Sequence, residues 1–186
     1  MTIALQPGSS RVRTRALLAF CAVLLGGCLG LPEGVQPVAN FETERYLGTW
    51  YEVARLDHSF ERGLERVTAT YSLREDGGLT VVNRGFSTDD DRWQEARGKA
   101  YFVADESTGH LKVSFFGPFY GSYVVFELDP EYRHAFVAGA NTSYLWLLAR
   151  TPHPAPQLIE RFTQRAKALG FATDELIFPQ PPPAGD

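Results

Sequence analysis

The chain has 186 residues, of which 44% are hydrophobic, 13% aromatic and 22% charged, with a formal net charge of −4. This profile excludes a disordered chain and fits one globular domain with an ample core. The acidic balance argues against nucleic acid as a partner and against electrostatic docking on anionic lipid.

The first 27 residues read as an export signal. Arg11, Arg13 and Arg15 stand without an acid, residues 16–25 form an apolar run, and Gly26 and Gly27 supply small side chains at the cleavage point. The run is shorter than the roughly 20 apolar residues a bilayer span needs. Leu25-Gly26-Gly27-Cys28 resembles the lipobox of bacterial lipoproteins, which implies that Cys28 is acylated and becomes the N-terminus. Cys21 leaves with the signal, so no thiol pair remains and no disulfide is expected. Residues 1–27 carry three of the 18 Lys+Arg and no acid, which leaves 15 cations against 22 acids and a net charge of −7. Acyl chains, not a basic patch, would hold such a protein at a membrane.

Residues 28–40 include LGLPEGVQPVAN, which has two prolines, two glycines and no periodicity, and they read as a lipidated tether. From 41 to 178 period-two alternation dominates. VTATYSL (67–73) sets Val67, Ala69, Tyr71 and Leu73 against Thr68, Thr70 and Ser72, and Asp76-Gly77-Gly78 makes a hairpin turn before residues 79–86 return. Strands are expected at 48–56, 94–104, 111–116, 122–128, 135–140 and 144–150 as well, giving eight in all. The fold class is therefore all-β, an eight-stranded antiparallel up-and-down barrel, because closure removes unpaired edges. One α-helix is expected at 156–169, with Leu158, Ile159, Phe162, Ala166 and Leu169 at helical spacing and Gly170 as its stop, packed outside the barrel. Residues 179–186, Pro-rich, read as a disordered tail.

Gly48-Thr49-Trp50-Tyr51 at the start of the first strand resembles the G-x-W motif of lipocalins, and Leu145-Trp146-Leu147-Leu148-Ala149-Arg150 resembles the motif that closes their last strand. HSFERGLERVTATYSLREDGGL, GKAYF and LKVSFFGPFYGSYVV resemble the bacterial branch, whose members are outer-membrane lipoproteins that bind lipids. The resemblance covers about residues 40–178. It implies a ligand-holding calyx, the packing of Arg150 over Trp50, and an outer-membrane protein facing the periplasm. Where many lipocalins have T-D-Y, this chain has Asp129-Pro130-Glu131-Tyr132, which makes receptor docking as in animal homologues doubtful.

Trp50 and Arg150 mark the closed end, so loops 57–66, 87–93, 117–121 and 141–143 fall at the mouth. Parity from an inward Trp50 places Glu52, Ala54 and Leu56 in the lumen, followed by Tyr71, Val81, Asn83, Phe102, Val113, Phe115, Tyr144 and Trp146. Phe119 and Tyr120 are expected at the rim, capping the cavity, gripping ligand or forming a dimer face. Small residues on the fourth strand (Ala96, Gly98, Ala100) leave room. Such a cup suits an acyl chain, since burial contributes about 0.8 kcal/mol per CH₂. The resemblance points to lysophospholipids and fatty acids as ligands, and Glu52 and Asn83 are the polar candidates inside.

Catalytic signatures are weak. His58, His110, His134 and His153 lie in separate elements without metal-ligand spacing, and Asp89-Asp90-Asp91 lacks the glycine and distal glutamate of a calcium loop. No nucleophile elbow or phosphate loop appears. The expectation is a lipid-binding carrier, store or scavenger without catalysis, metal or cofactor. A filled barrel serving as an interaction module and a lipid-turnover enzyme remain as alternatives.

Overall fold

A computed structural model describes residues 29–183; the expected export signal, Cys28 and residues 184–186 lie outside them. After a one-turn helix, α1 (Thr43–Tyr46), come eight strands: β1 (Gly48–Arg55), β2 (Leu64–Leu73), β3 (Leu79–Ser87), β4 (Arg92–Phe102), β5 (His110–Ser114), β6 (Gly121–Leu128), β7 (His134–Ala138) and β8 (Leu145–Ala149). Each strand pairs antiparallel with the next, and β1 closes the ring on β8. The expected eight-stranded up-and-down barrel is what the chain forms. Helix α2 (Pro156–Ala168) and a 3-10 turn (Thr173–Glu175) follow it.

Two apolar layers hold the barrel. The inner one gathers Trp50, Tyr71, Leu79, Val81, Ala100, Leu111, Val137 and Leu148. The outer one lies between the wall and α2, where Phe126, Phe136, Leu145 and Leu147 meet Phe162 and Ala166. Phe162 and Phe136 pack edge to face at 5.0 Å between centroids. Pro156 opens α2, where its missing N–H costs nothing, and Gly170 at φ +82° ends it. Arg161 fastens the helix to β6 through Glu127 at 2.6 Å.

Bulges interrupt the alternation. The β1–β8 register slips between Glu52 and Ala54, so Glu52 and Arg55 both turn inward while Ala54 and Leu56 join the layer beneath α2. Ala54 and Leu56, expected in the lumen from uninterrupted parity, therefore lie on its outer face. A second slip between Val125 and Glu127 lets β6 send Val125 inward and Glu127 out to Arg161.

Both termini stay on the barrel longer than composition implies. Within the expected tether, Val35 is buried in the outer layer, and Val38 donates its N–H to Val125 O (2.9 Å) and accepts from Gly109 N–H (2.9 Å). At the other end Ile177 and Arg55 exchange backbone hydrogen bonds (2.8 and 3.0 Å). Arg66 N–H reaches Gln180 O at 2.8 Å, and Gln180 N–H meets the Glu65 carboxylate. The tail expected to leave the fold at 179 is thus held to β2 at least through Gln180. Proline-rich segments lack periodicity but can still lend single carbonyls and N–H groups to an edge, which composition does not show.

Candidate functional site

The base of the barrel is sealed by one guanidinium. Arg150 lies over the buried Trp50 ring at 3.9 Å and donates to the carbonyl oxygens of Thr49 (2.8 Å), Leu47 (2.8 Å) and Arg45 (2.9 Å). It thereby collects carbonyls at the end of α1 that the short helix leaves unpaired. Trp50 Nε1–H donates to Tyr46 O at 2.8 Å, tying the motif to α1. Gly48 has φ +87°, a left-handed conformation that glycine adopts without strain, and a methyl there would stand 3.5 Å from the Arg150 guanidinium. Tyr132, in the Asp129-Pro130-Glu131-Tyr132 turn, accepts from Glu42 N–H at 2.8 Å and stacks under Arg45, so this turn also closes the base.

Above Trp50 lies a floor of three phenols. Tyr46 and Tyr123 share a hydrogen bond of 2.6 Å between hydroxyls, and the Tyr71 hydroxyl donates to that of Tyr123 at 2.9 Å. Burial pushes all three phenols above their ordinary range, which keeps them neutral. Val81 and Phe102, with Val113, Phe115 and Trp146, pack in the same inner layer as Tyr71 and Trp50. Gly98 on β4 has no Cβ because the Phe115 ring occupies that space, at 2.8 Å from where one would stand. Part of the room left by small residues is therefore filled. Higher on β4 the inward Ala96, opposite Asn83, remains exposed. Asn83 is half-buried, and its Oδ1 has no protein partner.

Near the mouth a buried polar network replaces apolar packing. Arg55 donates to Glu52 Oε1 (2.5 Å), Glu61 O (3.0 Å) and Leu64 O (3.2 Å). Glu61 Oε2 accepts from Trp146 Nε1–H at 3.0 Å and lies 3.0 Å from His58 Nε2, off the line of a good hydrogen bond. Two carboxylates face one guanidinium here, and they settle differently. Burial pushes Glu52 well above the ordinary carboxylate range, with the Glu61 charge adding to it and Arg55 offsetting only part. Burial also pushes Glu61 upward, but His58, Trp146 and Arg55 together outweigh it and hold Glu61 below that range. The two carboxyls are thus pushed in opposite directions, Glu52 up and Glu61 down.

Aromatic rings frame this network. His58 stacks on Phe60 at 4.0 Å, and Tyr144 stacks on Trp146 at 6.2 Å between centroids. Of the sequence candidates, Glu52, Tyr71, Val81, Asn83, Phe102, Val113, Phe115, Tyr144 and Trp146 line or frame one interior. Phe119 is an exposed tip of the β5–β6 loop. Tyr120 turns away from the lumen and lies over the outer wall, 5.4 Å from Lys112 Nζ and 5.9 Å from Lys99 Nζ. This corrects its expected place over the cavity: the ring finds cations and the Tyr101 face outside. Sequence reasoning missed Arg55, His58, Glu61, Tyr46 and Tyr123. His58 and Glu61 lie in the 57–66 loop expected at the mouth, whose lack of periodicity gives no inward direction, and Arg55 turns inward only through the β1 bulge.

The model of the lipocalin-like domain matches residues 41–181. The chain belongs to the lipocalin family. It is 61% identical over 164 residues to the outer membrane lipoprotein Blc of Vibrio cholerae, covering 88% of this chain and 96% of that one. With the Blc of Escherichia coli K12 the identity is 54% over 151 residues, 81% of this lipocalin and 85% of the relative. Among solved structures, the cockroach allergen Per a 4 superposes with a TM-score of 0.63 over 82% of this lipocalin and 96% of that chain. At 14% identity, that likeness is one of fold.

Proposed function

We propose that this lipocalin binds a lipid with one long acyl chain, a lysophospholipid or a fatty acid, and serves as a carrier, store or scavenger without catalysis. The observation that carries the reading is the gradient inside the barrel: a sealed aromatic floor, an accessible upper half around Ala96 and Asn83, and a polar network at the mouth. An acyl chain would enter from the upper half and rest on the aromatic floor, with its head group at the mouth. Each buried CH₂ contributes about 0.8 kcal/mol before ordering costs. Asn83 Oδ1 and the Glu52–Arg55–Glu61 network offer acceptors and charge to a head group.

The anchor belongs to the same proposal. Cys28 carries the acyl chains, and the protein sits at the outer membrane facing the periplasm. The lipobox-like LGGC and the relatives named outer membrane lipoprotein support this.

A mass spectrum of protein purified gently from its own membranes tests the reading. One co-purifying lipid per barrel is expected, recovered intact after long incubation. A barrel free of lipid would favour a filled interaction module, and a hydrolysed lysophospholipid would favour an enzyme.

A further inference from the structure

The N-terminal segment follows a defined path over the barrel. Phe41 N–H donates to Ser107 O (2.7 Å) in the β4–β5 turn at the base. Val38 is held between Gly109 and Val125, and Val35 is buried in the layer beneath α2. A methyl on Gly34 would stand 3.5 Å from Leu169, just past the end of α2, and one on Gly30 would stand 3.6 Å from Ala140 O. Ala140 follows β7, which runs from base to mouth, and lies in the β7–β8 loop at the mouth. Residues 41 down to 30 therefore climb the outer wall from the closed end to the open one. Two residues of chain separate Gly30 from Cys28, a covalent reach of at most about 7 Å. The base is roughly 20 Å away, the height of an eight-residue strand tilted as barrel strands are.

The same end carries exposed aromatic rings. Phe60 is 54% exposed in the β1–β2 loop, Trp93 41% beside the β3–β4 turn, and Phe116 and Phe119 78% and 79% in the β5–β6 loop. Rings on two separate loops and at the mouth end of β4 stand around one opening, and that chemistry suits the boundary between head groups and acyl chains.

We infer that the calyx is held mouth-down, with its aromatic rim against the phospholipid leaflet that receives the Cys28 acyl chains. The inference rests on the acylation of Cys28 proposed above. Anchor and rim act together: the short lead from Gly30 brings the opening to the bilayer, and the rings seat it there. A lipid can then pass between leaflet and lumen without its chain crossing open water.

Introduced cysteines test this in the full mature, lipidated chain, because its one native cysteine is the acylated one. Phe119→Cys at the rim and Glu106→Cys at the base are each labelled with pyrene. The proteins are then reconstituted in phosphatidylethanolamine–phosphatidylglycerol vesicles containing doxyl-labelled phospholipid. The expected result is a several-fold loss of pyrene emission at position 119 with little loss at 106. The combined Phe60→Ser and Phe116→Ser change should weaken the quenching at 119. Equal quenching at both positions, stronger quenching at 106, or none at either would overturn the orientation. Excimer emission from position 119 would show a second copy on the rim and would overturn it too. The mass of the N-terminal peptide separates the two failures: an unacylated N-terminus removes the anchor and the inference together, whereas an acylated chain quenched at 106 removes only the inference.

Discussion

Trp50 and Arg150 act as one unit, since the ring is fully buried under a guanidinium whose donors hold the carbonyls of residues 45, 47 and 49. Trp50→Ala should lower stability by about 3–5 kcal/mol through the cavity it leaves; an unchanged denaturant midpoint would contradict this. Glu52 gives a pH signature. Its folded pKa is raised by burial, so between the ordinary carboxylate value and that raised value the folded state holds the extra proton. Stability should therefore fall as pH rises through that window, and Glu52→Gln, which is nearly isosteric and cannot titrate, should flatten the fall in a series of melting curves. A variant that kept the full wild-type slope would place the proton elsewhere. The motif residues were legible in the sequence because a Gly-x-Trp near the start of one strand and an arginine at the end of another are tied by barrel closure. Arg55, Glu61 and His58 were not. Arg55 owes its inward direction to a bulge, and the other two sit in a loop without periodicity.

At the level of elements, alternation located all eight strands and helical spacing located α2, because each buries one face and solvates or covers the other. Simple parity failed only where the backbone added a residue, and this is why Ala54 and Leu56 lie beneath α2 and not in the lumen. Bulges bend strands into closure, so a small barrel has a physical need for them that a period-two pattern does not display. The helix is more than a cover. Phe162 is completely buried against Phe136, and Phe162→Ala should cost about 3–5 kcal/mol by chemical denaturation. A cost near zero would mean that α2 rests on the wall without stabilising it. The β5–β6 loop divides its aromatics by chemistry: Tyr120 lies over Lys112 and Lys99 on the outer wall, and Phe119 projects free.

The whole molecule is a barrel with a plugged aromatic base and a polar opposite end, and the proposed lipid site rests on that asymmetry. Trp50, Arg150 and the three tyrosines close one end, while the half-buried Asn83 and the buried Glu52–Arg55–Glu61 network make the other end polar. The architecture could be read from sequence because it follows from counting strands. The division of the lumen could not, since it depends on which inward side chains find partners across the barrel, as Phe115 does over Gly98. The most direct measurement is calorimetric titration of delipidated Cys28→Ser protein with a long-chain lysophospholipid, beside the same protein carrying Ala96→Trp. Saturable one-to-one binding with a negative heat-capacity change is predicted for the first, and affinity at least roughly tenfold weaker for the filled lumen. Equal affinity in the two proteins, or no binding to either, would contradict a lipid site inside the barrel.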